Sequence, residues 1–161
     1  MSEIDWGRPL PPPELARLEF LLGDWVSEDV HHPMPWAPRP ARGASRLSFR
    51  RALDGYCFLT DYAGQMPFGE LKGHGVWFYD VARGHYRVLW YDNWANFLDG
   101  SGAFAADGAF VIRYAYRMEG QDVRERHTLL PAPPDGFEHR IETELDGRFR
   151  PTSELRYRRA G

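Results

Sequence analysis

From Trp25 onward, the sequence consists of short runs of alternating apolar and polar residues that end at Gly, Pro, Asn or Asp. A period of two is typical of a strand with one buried face, and turn signals every 8–12 residues or so are typical of an all-β barrel or sandwich. No second helical pattern follows Trp25. The predicted strands cover roughly residues 24–32, 44–52, 57–64, 71–79, 85–92, 97–105, 109–118, 122–130, 137–145 and 148–158.

One short helix is predicted over residues 12–22, ahead of the first strand. Three prolines lead into it, leucines recur with helical spacing, and Gly23 ends it. Residues 1–10 have no such pattern and are expected to be loose. We therefore predict one all-β domain over residues 1–161, a single closed antiparallel meander barrel of about ten strands that spans residues 24–158.

Composition excludes several classes of function. With 43% hydrophobic and 27% charged residues, the chain is expected to fold around a real core. A net charge of −3 provides no basic face for nucleic acid, and no run of about 18 apolar residues predicts a membrane span. A single cysteine and an N-terminus without signal-peptide features favour the cytoplasm.

Residue parity predicts which side chains face the barrel interior, because neighbours along a strand point to opposite faces. In residues 122–130 and 137–145 the charged residues fall mostly on one parity, which leaves the other parity inward. The inward polar or aromatic residues of the last four strands are then Tyr114, Tyr116, Glu125, His127 and His139.

Turns predict how these residues pair across strands. Gly120-Gln121 is expected to be a two-residue type II′ hairpin loop, which would pair Tyr114 with His127 and Tyr116 with Glu125. The next connection allows His127 to lie opposite His139 or Ile141, and we favour His139. The expected result is a lateral row of Tyr114, His127 and His139 inside the barrel.

Aromatic residues predict the remaining wall. Six tryptophans in a chain of this size call for an aromatic core or an aromatic-lined cavity. Gly75 is expected opposite Trp90, and Gly100 and Gly102 opposite Tyr114 and Ile112, which leaves room for the rings or for a ligand. The predicted ligand-binding residues are Tyr62, Trp77, Trp90, Asp92, Tyr114, Tyr116, Glu125, His127 and His139.

Three other features receive weaker interpretations. His31 and His32 point to opposite faces and cannot both bind one ion, so we predict a solvated strand end and no metal there. The proline-rich segment of residues 33–43 is expected to form a loop over the barrel mouth. Trp36 and Trp94 lie in polar, loop-like segments and are expected to form a lid or a dimer contact.

Several motifs resemble the lipocalin-like (calycin) superfamily. They are the short helix, Gly23-x-Trp25 at the start of the first strand, the antiparallel meander and a late arginine. The resemblance implies that Arg156 or Arg158 stacks on Trp25. The segments LEFLLGDW, GYCFLTDYAG, GHGVWFYD, VLWYDNW, GSGAF and ELRYRR look like a bacterial family of uncharacterised lipocalin-like barrels, and this resemblance implies no activity.

Haem-binding nitrobindins are similar to this chain in the helix, the Gly-x-Trp motif and the number of strands. Their axial histidine lies near the C-terminus, whereas this chain ends RPTSELRYRRAG without one. Haem is therefore disfavoured, unless His127 or His139 serves from another strand, and no cofactor is predicted.

Three hypotheses about function follow. The leading one is a cytoplasmic protein that holds a small apolar or aromatic molecule in the barrel. The second is an isomerase, hydratase or lyase that uses His127 and Glu125 for proton transfer. The third is a barrel packed with its own side chains whose outer face forms a homodimer.

Overall fold

The computed structural model describes residue 7, residues 9–118 and residues 120–161. Its main feature is a closed barrel of ten antiparallel strands in meander order, with the first strand paired to the last. The predicted fold class is therefore confirmed. The strands are β1 Gly23–His31, β2 Ala41–Ala52, β3 Cys57–Met66, β4 Gly69–Asp80, β5 His85–Asp92, β6 Phe97–Phe104, β7 Phe110–Met118, β8 Gln121–Ala132, β9 Gly136–Leu145 and β10 Arg148–Arg159.

A nine-residue 3-10 helix, η1 Pro13–Leu21, precedes the barrel where the sequence predicts a helix over residues 12–22. A shorter 3-10 turn, η2 Leu53–Gly55, joins β2 and β3. Of the N-terminal segment that we expect to be loose, residues 1–6 and residue 8 lie outside the described residues. No helix within the described part of the chain is long and apolar enough to cross a membrane.

The helix η1 closes one end of the barrel. Leu15, Leu18 and Leu21 are buried and belong to the same core cluster as Trp25. The Trp25 indole Nε1 donates a hydrogen bond to the Leu21 carbonyl at 2.7 Å, which fixes the helix to the first strand. The apolar stripe of η1 is therefore the floor of the barrel.

The arginine over Trp25 is Arg159, so the expectation of Arg156 or Arg158 is wrong. The register of β1 and β10 pairs Trp25 with Arg159, and the guanidinium carbon lies 3.8 Å from the centre of the indole ring. Arg156 and Arg158 pair with Glu28 and Val26 instead. The cause is that the pairing of the two strands, rather than the spacing of arginines, decides which cation reaches the ring.

The other end of the barrel carries five connections, because successive turns of an antiparallel meander alternate between ends. These connections are residues 32–40, 67–68, 93–96, 119–120 and 146–147. Trp36, Phe68 and Trp94 are about half exposed there, and the rings of Phe68 and Trp94 pack with centroids 5.2 Å apart. We call this end the rim.

The wall between β6 and β7 is formed only partly by backbone pairing. The two strands pair from Ser101 to Phe104, whereas the first half of β6 pairs with β5 alone among the described residues. A Cβ atom at Gly100 would collide with the Tyr114 ring, so that ring lies directly on Gly100. The prediction that Gly100 faces Tyr114 is confirmed, and the Tyr114 ring occupies the space left by the missing side chain.

Candidate functional site

The barrel encloses a cavity of about 280 Å³ that reaches the rim and stops short of η1. Its walls are mainly aromatic and aliphatic side chains from all ten strands. All nine predicted ligand-binding residues line it, namely Tyr62, Trp77, Trp90, Asp92, Tyr114, Tyr116, Glu125, His127 and His139. Trp36 and Phe68 of the rim line it too, and Trp36 lies in the proline-rich segment that we predict to cover the mouth.

The strongest polar feature of the cavity is a chain of hydrogen bonds that we call the relay, made of Tyr116, Glu125, His127 and His139. The Tyr116 hydroxyl donates to Glu125 Oε1 at 3.0 Å, and His127 Nε2 lies 3.2 Å from Glu125 Oε2. His127 Nδ1 lies 3.0 Å from His139 Nε2. The sequence-based prediction that these side chains converge is correct in outline.

The register that brings them together differs from the predicted one. The hairpin loop is residues 119–120, with Glu119 outside the described residues, so Met118 pairs with Gln121. Tyr114 therefore lies opposite Glu125, and His127 lies opposite Ile112 and Ile141. His139 lies opposite Leu129, so His127 and His139 meet diagonally and not as a direct pair.

The slip of two residues preserves parity, which is why the inward side chains are still the expected ones. Gly120 has a φ of +81° and takes the second position of the loop, where we expected the first. The Tyr114 and His127 rings nevertheless remain in contact, with centroids 5.0 Å apart.

The relay has a defined proton pattern. An ionised Glu125 only accepts hydrogen bonds, so His127 Nε2 carries a hydrogen. In a neutral His127, Nδ1 then accepts the hydrogen of His139 Nε2. Burial, and after it the neighbouring His127, lowers the pKa of His139 well below its ordinary value of 6.5, so His139 is uncharged at neutral pH.

This arrangement can do two things chemically. It can hold the polar group of a ligand at one place in an apolar cavity, or it can move a proton along the hydrogen-bonded chain. A metal is a poor fit, because the histidine nitrogens are directed at each other and at Glu125. The described residues bring no three His, Cys, Asp or Glu side chains into a metal-binding group.

Asp92 has a different role from the one we predict. Its carboxylate accepts hydrogen bonds from the Trp90 indole, the backbone amides of Trp94 and Asn96, and the Asn96 side chain. These bonds fold the connection of residues 93–96 at the rim. Asp92 lines the cavity, but its acceptor positions are used by the protein itself.

Trp90 and Trp77 form the wall on the β4–β5 side. Gly75 lies opposite Trp90, as predicted, and a Cβ atom on Gly73 would collide with the Trp90 ring. The Tyr62 and Trp90 rings pack edge to face with centroids 6.0 Å apart. Burial, and then the Asp29 carboxylate, raises the pKa of Tyr62 to about 12, so its hydroxyl stays protonated.

Sequence reasoning missed a second polar cluster, on β1. The prediction that His31 belongs to a solvated strand end is wrong, because its side chain is buried, lines the cavity and lies 2.8 Å from the Ser153 hydroxyl. Asp29 is also buried and interacts with the hydroxyls of Ser27 and Ser45. His32 points away, toward Glu154 at 3.2 Å. The parity of the buried Trp25 could have revealed this cluster, since Ser27, Asp29 and His31 share its face.

Three further polar atoms on the cavity wall have no hydrogen-bond partner among the described residues. They are Thr60 Oγ1, Trp77 Nε1 and Thr143 Oγ1, and each is buried. Buried polar groups are rarely left unpaired in folded proteins, because each costs about 1–3 kcal/mol.

Two solved structures share this architecture. Rv2717c from M. tuberculosis superposes with a TM-score of 0.61 at 11% identity, over 94% of this chain and 100% of that chain. The S-type phycobiliprotein lyase CPES from Guillardia theta superposes with a TM-score of 0.61 at 17% identity, over 94% and 99%. What they share with this chain is the barrel fold.

No protein-family model matches the chain, and no curated protein sequence matches it. The resemblances to a bacterial family and to the nitrobindins therefore stay predictions. At these identities the two neighbours establish the architecture, and the chemistry of the site has to be argued from its own residues.

Proposed function

We propose that this protein binds a small, largely apolar or aromatic molecule inside its barrel. The observation that carries the proposal is the cavity of about 280 Å³, whose largely aromatic walls carry a concentrated polar group, the relay. Ligand sites are typically apolar pockets of about 300–1,000 Å³ with few convergent polar groups. The size fits a small aromatic molecule of up to about three rings.

The structural neighbours support the same proposal. One of them is named as a phycobiliprotein lyase, and its barrel is similar to the one described above. The present chain adds its own support, because a barrel filled by its own side chains, our third hypothesis, does not describe this structure. We also propose a location in the cytoplasm, because of the single cysteine and the N-terminal sequence. A homodimer through Trp36 and Trp94 is the other proposal that the sequence supports.

Haem is not the ligand that we propose. Both ring nitrogens of His127 are engaged by Glu125 and His139, so this histidine is not free to bind an iron. Its carboxylates would need cationic partners, and the described cavity lining includes neither lysine nor arginine. For these two reasons we do not propose haem as the ligand.

The test is binding of N-phenyl-1-naphthylamine, an uncharged aromatic probe that fluoresces more strongly in apolar surroundings. Ile141 lines the cavity opposite His127, so Ile141→Trp should fill the space and weaken binding at least about tenfold. The matched control is Arg140→Trp, which places the same ring one residue away on the outer face, where Arg140 is half exposed.

Equal affinity of the wild type and of Ile141→Trp would place the probe outside the barrel and overturn the proposal. Thermal unfolding of both variants shows whether they are folded before their affinities are compared.

A further inference from the structure

The charge of the cavity is one-sided. Two carboxylates line it, Asp92 and Glu125, while its described lining contains no lysine and no arginine. The buried Asp29 carboxylate lies just behind the wall, bonded to Ser27 and Ser45. Cations on the chain, such as Arg124, Arg126 and Arg140, form ion pairs on the outer surface.

The histidines that line the cavity do not make its charge positive. Burial lowers the pKa of His31 and of His139, so neither adds a positive charge at neutral pH. His127 shares a hydrogen bond with the Glu125 carboxylate. While Glu125 is ionised and His139 is uncharged, these two residues and His127 together carry no net positive charge.

We propose that the cavity recognises a small aromatic amine, uncharged or protonated, and excludes carboxylates. This inference rests on the proposed function and names its ligand class. An anion that enters the cavity would lose its water without meeting a cation, and an unpaired buried charge is costly. A protonated amine would instead meet a carboxylate in the cavity, and an uncharged amine would have no charge to desolvate.

The acceptor for the amine is Glu125. Its carboxylate has about four lone-pair sites, of which Tyr116 and His127 use two. Asp92, by contrast, already receives four donor groups of the protein. The side chain of Glu125 is 17% exposed and lines the cavity, and no described residue uses its remaining acceptor positions.

The aromatic walls favour the same class. A cation is attracted to the face of a tryptophan or tyrosine ring, and an uncharged aromatic ring packs on the same faces. Tyr114, whose hydroxyl has no hydrogen-bond partner among the residues described, adjoins Glu125 across the strand pair. Glu125 and the aromatic side chains of Tyr114 and Tyr116 thus lie on the adjacent strands β7 and β8, on one side of the cavity.

The experiment uses three molecules with one ring system and different charge: indole, tryptamine and indole-3-acetate. Each competes with N-phenyl-1-naphthylamine for the wild-type protein at neutral pH. We expect tryptamine to displace the probe at least about tenfold more effectively than indole-3-acetate, with indole between them.

Glu125→Gln removes the charge and keeps the shape, so it should reduce the preference for tryptamine over indole-3-acetate by about tenfold. The control is Glu138→Gln, which removes the same charge from the outer face of β9, where Glu138 is half exposed. That variant should keep the wild-type preference. The comparison of the three molecules on the wild type needs no variant and decides the question even if Glu125→Gln does not fold.

Two results would overturn the inference. If indole-3-acetate competes as well as tryptamine while the probe still depends on Ile141, the charge argument fails and the proposed function stands. If Ile141→Trp leaves probe binding unchanged, the proposed function fails and the inference falls with it.

Discussion

His139 shows how burial decides the behaviour of a residue. It lies inside the barrel, bonded to His127, and burial favours its uncharged form. In the unfolded chain the same histidine would titrate near pH 6.5. As the pH falls through this value, His139 binds a proton in the unfolded state but stays uncharged in the folded state.

We therefore predict that the free energy of unfolding falls as the pH is lowered from 7.5 to 5.5. The sign follows from the lowered pKa in the folded state, which gives a contribution that is complete above pH 6.5 and lost below it. His139→Gln should reduce this loss by about 1 kcal/mol, since one unit of pKa shift corresponds to about 1.4 kcal/mol.

Urea denaturation at the two pH values measures the effect. His85→Gln is the control, because His85 lies on the face of β5 opposite to the buried Tyr86 and Val88. An unchanged pH dependence in His139→Gln would show that His139 does not cause it. His31, whose pKa is lowered in the same direction, accounts for part of the remaining slope.

At the scale of residues, the sequence was sufficient to predict which side chains point into the barrel, but not which side chains they contact there. Charged residues on one parity of β8 and β9 identify the inward positions, and all nine predicted residues reach the cavity. The burial of His31 was not predicted, because a polar residue near the end of a strand is usually exposed to solvent. Only its shared face with Trp25 distinguishes it.

At the scale of elements, the β7–β8 hairpin shows why register was harder to predict. Placing the loop at residues 119–120 instead of 120–121 shifts the pairing by two residues and leaves every side chain on the same face. The hydrophobic pattern is identical in both registers. The choice depends on which loop position places Gly120 at positive φ, and many two-residue loops allow either.

The helix η1 gives a prediction at this scale. Leu18 is 1% exposed and packs in the core cluster, whereas Leu10, ahead of the helix, is 88% exposed. Leu18→Ala should lower the free energy of unfolding by about 2–5 kcal/mol, because it leaves a cavity in the barrel floor. Leu10→Ala should change it by less than about 0.5 kcal/mol.

Chemical denaturation of both variants provides the measurement. A loss at Leu18 no larger than that at Leu10 would mean that η1 is not part of the cooperative core. The cavity lies beyond the floor and includes no residue of η1, so probe affinity in the folded Leu18→Ala protein should remain close to that of the wild type.

At the scale of the whole molecule, the fold was predictable because several levels of the sequence agree. Strand periodicity, turn spacing, a single helix and the Gly23-x-Trp25 junction all point to one barrel. The openness of the interior was not predictable, since the same aromatic residues could have filled it. Whether the interior stays open depends on the packing of rings such as Trp90 against Gly73 and Tyr114 against Gly100.

Binding in the cavity should stabilise the whole barrel, because the ligand binds the folded state alone. With N-phenyl-1-naphthylamine at about one hundred times its dissociation constant, we expect a gain of about 2.7 kcal/mol in the free energy of unfolding. Differential scanning calorimetry should show a rise in Tm that grows with probe concentration. The same probe concentration should raise the Tm of Ile141→Trp much less, and an equal rise would indicate attachment elsewhere.

The asymmetry of the two ends has a consequence for timing. One end is sealed by Leu18, Leu21 and Trp25, while the other is ringed by Trp36, Phe68 and Trp94. On the proposed function, a ligand would enter and leave past those rings, so they would influence the rates of entry and exit, whereas the interior contacts would set the affinity. A substitution of Trp94, which lies at the rim and does not line the cavity, should therefore change the exchange rates more than the ligand preference.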